Sequence, residues 1–184
     1  MKKLLFVLML VGLLSVVQGS QDVVELGPYD VSFDLGDLNY TVEFKEPYNS
    51  ETYGGINYTR NDMYILAEGE FIAIITALYA SPVRLSFGSS SLYDVDGELH
   101  RRTVDNKEVV MYVDETLYGI EFGTVYMLES DGWVDDDGEF TGNRETDKNA
   151  YLNGSNYISI VSTMEWDLTR KLLNTIHVEL RDES

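Results

Sequence analysis

Phe71-Ile72-Ala73-Ile74-Ile75-Thr76-Ala77-Leu78-Tyr79 is the longest apolar run beyond the first twenty residues of this 184-residue chain, and its reading decides the fold. A helix crossing a bilayer needs about 20 apolar residues, so this run is too short for one. Its β-branched middle suits a buried central strand. Upstream, Glu68-Gly69-Glu70 reads as a turn. Before it, Ile56, Tyr58 and Met63 to Leu66 suggest a strand with a bulge near Arg60-Asn61-Asp62. Pro47 to Gly55 reads as a polar loop. Tyr29, Val31, Phe33 and Leu35 alternate with Asp30, Ser32 and Asp34, and Tyr40, Val42 and Phe44 alternate with Thr41 and Glu43. With Gly36-Asp37-Leu38-Asn39 between them, the two segments read as a hairpin, and residues 20–27 as a short lead.

Downstream, Ser81 to Ser91 reads mostly as loop, and Asp96-Gly97 as a two-residue hairpin turn. Val109 to Val113, Tyr118 to Phe122 and Thr124 to Leu128 read as short strands, punctuated by Asp114-Glu115-Thr116 and Gly123. Asn153-Gly154-Ser155-Asn156 reads as a turn before a strand at Tyr157 to Ser162. Leu168, Leu172 and Leu173 then share one helical face, with Asp167 at its N-terminal side and Arg170 and Lys171 in the last turns. Trp166, just before the helix, reads as a core plug, and Ile176, Val178 and Leu180 as a closing strand. The pattern predicts an α+β fold: mainly antiparallel β-sheet with one C-terminal amphipathic helix packed on it. A β-sandwich is the second architecture.

Two segments carry a resemblance. Gly27-Pro28-Tyr29-Asp30-Val31-Ser32-Phe33-Asp34 is similar to uncharacterised secreted proteins of methanogenic archaea. Tyr157 to Thr163, Trp166 and Leu172-Leu173-Asn174-Thr175-Ile176 resemble the ending of small exported prokaryotic proteins, and the strand–helix–strand order resembles the PsbP/Mog1-like sandwich. The resemblance implies a fold and an exterior location, and no activity.

The N-terminus points the same way. Met1-Lys2-Lys3 precedes an apolar stretch from Leu4 to Val17, and Val17-Gln18-Gly19 suits cleavage before Ser20. Residues 1–19 read as a secretory signal peptide and residues 20–184 as a single exported β-rich domain, secreted or held at the cell surface. Without the leader, eleven basic residues face 32 acidic ones, a net charge of −21. That excludes nucleic-acid binding through a basic surface. The lack of cysteine excludes a disulfide scaffold and a lipid-anchored cysteine. No second run is long enough for a transmembrane helix. Self-repulsion on this scale fits a saline exterior, so the melting temperature should rise between about 0.05 and 2 M NaCl as screening shortens.

Candidate chemistry is sparse. There is no Gly-x-Ser-x-Gly, since Gly88-Ser89-Ser90-Ser91-Leu92 lacks the second glycine. His177 and Glu179 share a strand face but lack a third metal ligand, so a solvated face explains them. Residues 129–147 hold eight carboxylates against Arg144 alone. Within them Asp131, Asp135, Asp137 and Glu139 are candidate calcium ligands, although the EF-hand register fails around Gly138. Trp133, in the same stretch, is a candidate ligand contact. Asn39, Asn57 and Asn153 head Asn-x-Ser/Thr sequons, with Asn153 the best placed if it lies in a turn. The leading expectation is an exported, non-enzymatic binding or structural domain whose partner is a cell-envelope protein or polysaccharide. The alternatives are an extracellular hydrolase using paired carboxylates and a calcium-stabilised module.

Overall fold

The structure, a computed structural model, describes residues 15–17, 23–51, 57–80, 86–88, 98–116, 119–134 and 151–181. In chain order the strands are β1 (Ser15–Val17), β2 (Val23–Leu26), β3 (Tyr29–Ser32), β4 (Tyr40–Phe44), β5 (Tyr48–Glu51), β6 (Asn57–Ala67) and β7 (Glu70–Ala80). They continue with β8 (Ser86–Gly88), β9 (Glu98–Val104), β10 (Lys107–Thr116), β11 (Gly119–Val134) and β12 (Tyr151–Ser162). Helix α1 (Trp166–Thr175) and β13 (His177–Leu180) close the chain. The protein is α+β: an antiparallel main sheet in the order β1-β4-β6-β7-β12-β11-β10-β9, a three-stranded sheet β13-β3-β2, and one C-terminal helix. Among the described residues no helix is long and apolar enough to cross a membrane.

The decisive run is β7, in the interior of the main sheet between β6 and β12. Ala73, Ile75 and Ala77 point inward and are fully buried, in line with Met63 and Ile65 on β6 and Ile158 and Ile160 on β12. The small sheet and the helix cover this inner face together. Leu26, Tyr29, Val31 and Val178 from the small sheet join Leu172 and Leu173 from α1 in the same hydrophobic cluster. The turn before β7 forms as expected. Glu68 (φ 53°) and Gly69 (φ 82°) both take positive φ, as a tight type I′ hairpin requires.

Several expectations give way to the tertiary context. The segments at 29–35 and 40–44 do not form a hairpin: β3 pairs with β2 and β13, whereas β4 pairs with β1 and β6. Alternation marks one buried face without naming the partner strand. The connector between β3 and β4 buries Phe33 and Leu35 and carries the chain from one layer to the other. Residues 23–26 of the supposed lead form β2, joined to β3 through Gly27 (φ 63°) and Pro28. The polar loop at 47–55 contains β5, paired with β6, and the loop at 81–91 contains β8, paired with β12. The bulge expected at Arg60-Asn61-Asp62 lies instead between Ile65 and Leu66.

Strand β10 runs through Asp114-Glu115-Thr116, and β11 runs through Gly123 to Val134, which takes in the first part of the acidic stretch at 129–147. Asn153-Gly154-Ser155 is strand as well, because β11 and β8 supply ladder partners on both sides. Irregularity remains at Asn156 (φ 50°), where β12 changes its neighbour from β7 to β8, and in the register shift of β11 between Ser130 and Gly132, opposite Gly154 and Asn153. The hairpin turn expected at Asp96-Gly97 lies outside the described residues. The turn between β9 and β10 is Asp105-Asn106, both with positive φ. Strand β1 falls inside the segment read as a leader, and a cut before Ser20 would leave β4 at the edge of the main sheet.

Helix α1 continues to Thr175, so Arg170 and Lys171 fall in its middle turns and its last turn holds no basic residue. No side chain caps its N-terminus, so burial of one face holds it. Trp166 lies partly exposed at its first turn, against Phe122 at 5.3 Å between ring centroids, rather than plugging the core. Leu180 is exposed, whereas Ile176 and Val178 are buried.

Below the helix the Ser162 hydroxyl accepts the Met164 amide at 3.2 Å and lies 2.8 Å from the Thr169 hydroxyl, which donates to the Met164 carbonyl at 3.1 Å. Every member of this buried ring has a partner. Thr169→Val should therefore cost about 1–2 kcal/mol by leaving the Ser162 hydroxyl and the Met164 carbonyl unmatched, read by urea denaturation. Thr169→Ser, which keeps the hydroxyl, should cost less.

Candidate functional site

Strand alternation that buries Met63, Ile75 and Ile160 inward places a second set of side chains on the outer face of the main sheet. On β6 these are Tyr58, Arg60, Asp62 and Tyr64. The register aligns Asp62 with Thr76 on β7 and Ser159 on β12, and Arg60 with Leu78 and Tyr157. Arg60 Nε donates to Asp62 Oδ1 at 2.8 Å, and the Thr76 hydroxyl donates to the same oxygen at 2.6 Å. Asp62 sits inside, with 15% of its side chain exposed, and Arg60 outside, with 46%. The hydrogen bond to Asp62 raises the Arg60 pKa despite partial burial, so the guanidinium stays charged. Burial raises the Tyr157 pKa, Arg60 opposes the rise and Tyr58 adds to it, so its hydroxyl stays protonated. Lys45 closes the row, donating to the Tyr64 hydroxyl at 2.7 Å with its ammonium 4.3 Å from the ring centroid.

A second polar group lies on the same face at β10 and β11. Asp114 stands directly across from Glu121, and the Tyr112 hydroxyl donates to Glu121 Oε1 at 3.0 Å. Burial, helped by Glu121, pushes the Tyr112 pKa far up, which keeps this donor protonated.

Elsewhere His177 does share a solvated strand face with Glu179, at 3.7 Å between Nε2 and Oε2. Its closer partner is Asp105, at 2.8 Å from Nδ1, reached from the β9–β10 turn. Among the described residues no group of three or more His, Asp or Glu could hold a metal ion. The Asp105 contact raises the His177 pKa above its ordinary value. A raised folded pKa contributes stability that is complete below the unfolded value near 6.5 and fades as pH rises through the folded value. His177 is 54% exposed, so the effect is small. Between about pH 5 and 8.5 the wild-type protein should lose slightly more stability than His177→Gln, measured by denaturant midpoints across pH.

Of the calcium candidates, Asp131 lies on the backbone of β11, while Asp135, Asp137 and Glu139 fall outside the described residues. Trp133 is also on β11, opposite Leu152. Asn39 is exposed just before β4, and Asn57 is exposed at the start of β6. Asn153 lies within β12, between Gly88 and Gly132, and so loses the turn that made it the best acceptor.

Sequence reasoning passed over Arg60, Asp62 and Thr76. Their signal in the sequence is an Arg-x-Asp pair at strand spacing, which by itself reads as a bulge in the strand. No family model, curated protein or solved structure matches the chain. The face itself therefore carries the functional argument.

Proposed function

We propose that this is an exported, non-enzymatic domain of the cell surface that holds an envelope polysaccharide on the outer face of its main sheet. One observation carries the reading: Tyr58, Arg60, Asp62, Tyr64, Thr76 and Tyr157 share one face, with Asp62 locked by Arg60 and Thr76. Aromatic rings beside fixed donors and acceptors match what a sugar offers, an apolar ring face bordered by hydroxyls. The leader pattern at residues 1–19 supports export. The test is co-sedimentation of residues 20–184 with isolated cell envelopes. Binding should survive protease treatment of the envelopes and disappear after periodate oxidation of their sugars. Loss on proteolysis alone would sink the polysaccharide reading in favour of a protein partner.

A second reading, an extracellular hydrolase, is favoured by Asp114 facing Glu121. Directly opposed cross-strand residues have Cβ atoms about 4.5–5.5 Å apart, within reach of the carboxyl spacing of about 5–5.5 Å used by retaining glycosidases. It requires reducing ends to be released from envelope glycans, with the release abolished in both Asp114→Asn and Glu121→Gln. No release from the wild-type protein would end it.

A further inference from the structure

We infer that the outer face selects a polysaccharide bearing carboxylates, a uronate polymer, with Arg60 as the residue that reads the acid. The inference rests on the polysaccharide reading above and names the sugar class.

Arg60 is fixed at one end only. Its Nε is bound to Asp62, which the Thr76 hydroxyl holds from the neighbouring strand. Its two terminal nitrogens bond no other described residue, and the side chain is half exposed. A guanidinium gripped at Nε has lost much of its rotamer freedom, yet it still presents two parallel N–H groups to solvent. That fork matches a carboxylate, and the entropy of aiming it is already spent on the Asp62 contact.

The surroundings select a sugar acid over a free anion. Tyr58 lies two residues from Arg60 on the same face, and Tyr157 stands across β7 in the Arg60 row. Tyr58 thus adjoins Arg60 along β6, and Tyr157 lies in its row two strands away, beyond Leu78. A pyranose carrying its carboxylate at the ring edge can place that group on Arg60 and lay its ring against a tyrosine.

Charge points the same way. The chain carries −19 overall, yet Lys45 and Arg60 balance Glu43 and Asp62 around this site. An anionic polymer that the rest of the protein repels meets no local excess of negative charge here.

The experiment titrates residues 20–184 with oligogalacturonate, with a neutral malto-oligosaccharide and with oligoglutamate, each by calorimetry at about 0.15 M salt. Oligogalacturonate should bind at least tenfold more tightly than the other two. Arg60→Gln should abolish that preference. Arg60→Lys, which keeps the charge and loses the fork, should weaken uronate binding at least threefold. Arg170→Gln on the exposed helix surface should leave binding unchanged, and thermal melts confirm that each variant folds. Equal binding of the neutral oligosaccharide, unaffected by Arg60→Gln, would overturn the acidic-sugar inference and leave the polysaccharide reading standing. Oligoglutamate binding as tightly as the uronate would overturn it in favour of an acidic peptide. Binding of none of the three, together with loss of envelope binding on proteolysis alone, would overturn both.

Discussion

Phe33→Ala should cost about 3–5 kcal/mol, the range for emptying a buried aromatic site. Phe33 is only 1% exposed and lies in the connector between β3 and β4, where the chain leaves the three-stranded sheet for the main one. Its ring packs 5.7 Å from Tyr40 on β4, so it bonds the two layers through the core rather than through a ladder. The connector cannot collapse readily into the space left behind. The next residue is tied to the helix, since the Asp34 amide donates to the Thr175 hydroxyl at 3.0 Å. Phe33→Leu refills most of the volume and should recover more than half the loss. Urea denaturation with an unchanged m-value is the measurement. A loss below about 1 kcal/mol for the alanine variant would mean that the connector does not plug the core.

Phe33 also shows where the sequence stopped being informative. Its alternation with Val31 and Leu35 correctly marks a buried face. Nothing in the alternation says that the burying partner belongs to another sheet, because period two records which side is dry and not which strand lies beside it. The run at 71–79 was legible for the opposite reason. It is apolar on both sides, so it had to sit inside a sheet wherever its neighbours came from. The helix was legible from Leu168, Leu172 and Leu173, since its spacing differs from that of every strand around it. Asn153-Gly154 misled because Asn-Gly is a strong turn signal in isolation, and pairing with β8 and β11 overrides it.

The outer face was harder to foresee than the core. Tyr58, Arg60, Asp62 and Tyr64 are consecutive same-side residues of one strand, but Asp62 is only half of its own site. The other half, Thr76, lies fourteen residues away inside the apolar run and looks like a β-former there. Asp105 and His177 are 72 residues apart and meet because a hairpin turn reaches the last strand. Such pairings depend on sheet order, and sheet order is set by the whole chain. The acidic stretch at 129–147 drew attention because charge density is local and can be counted. The surroundings of Arg60 are inconspicuous by the same measure, since Lys45 and Arg60 offset Glu43 and Asp62 there.

Gly123→Ala should cost about 3 kcal/mol, the upper end of the range for overpacking. Glycine usually weakens a strand, and replacing it with alanine on an open surface would help by about 0.5–1 kcal/mol. Here the sign reverses. Gly123 is buried on β11 directly across from Tyr112, and a Cβ built on it would fall 1.8 Å from Tyr112 Cε1 and 2.0 Å from Cζ. The atoms in the way belong to a planar ring, which cannot fold aside as the end of a lysine could. For the ring to move, its hydroxyl must leave Glu121, which strands a half-buried donor beside a carboxylate. Tyr112→Ala removes the obstacle and should lower stability by about 1–2 kcal/mol through lost burial alone. In Tyr112→Ala/Gly123→Ala the alanine meets no ring, so the double variant should be no less stable than Tyr112→Ala. The two single losses would then fail to add by about 3 kcal/mol, a coupling available only to residues in direct contact. Additive losses would mean that Gly123 serves the backbone of β11 rather than the ring of Tyr112. Glu121→Gln separates the remaining contribution: it keeps an acceptor for the hydroxyl, so the penalty of Gly123→Ala should persist in that background.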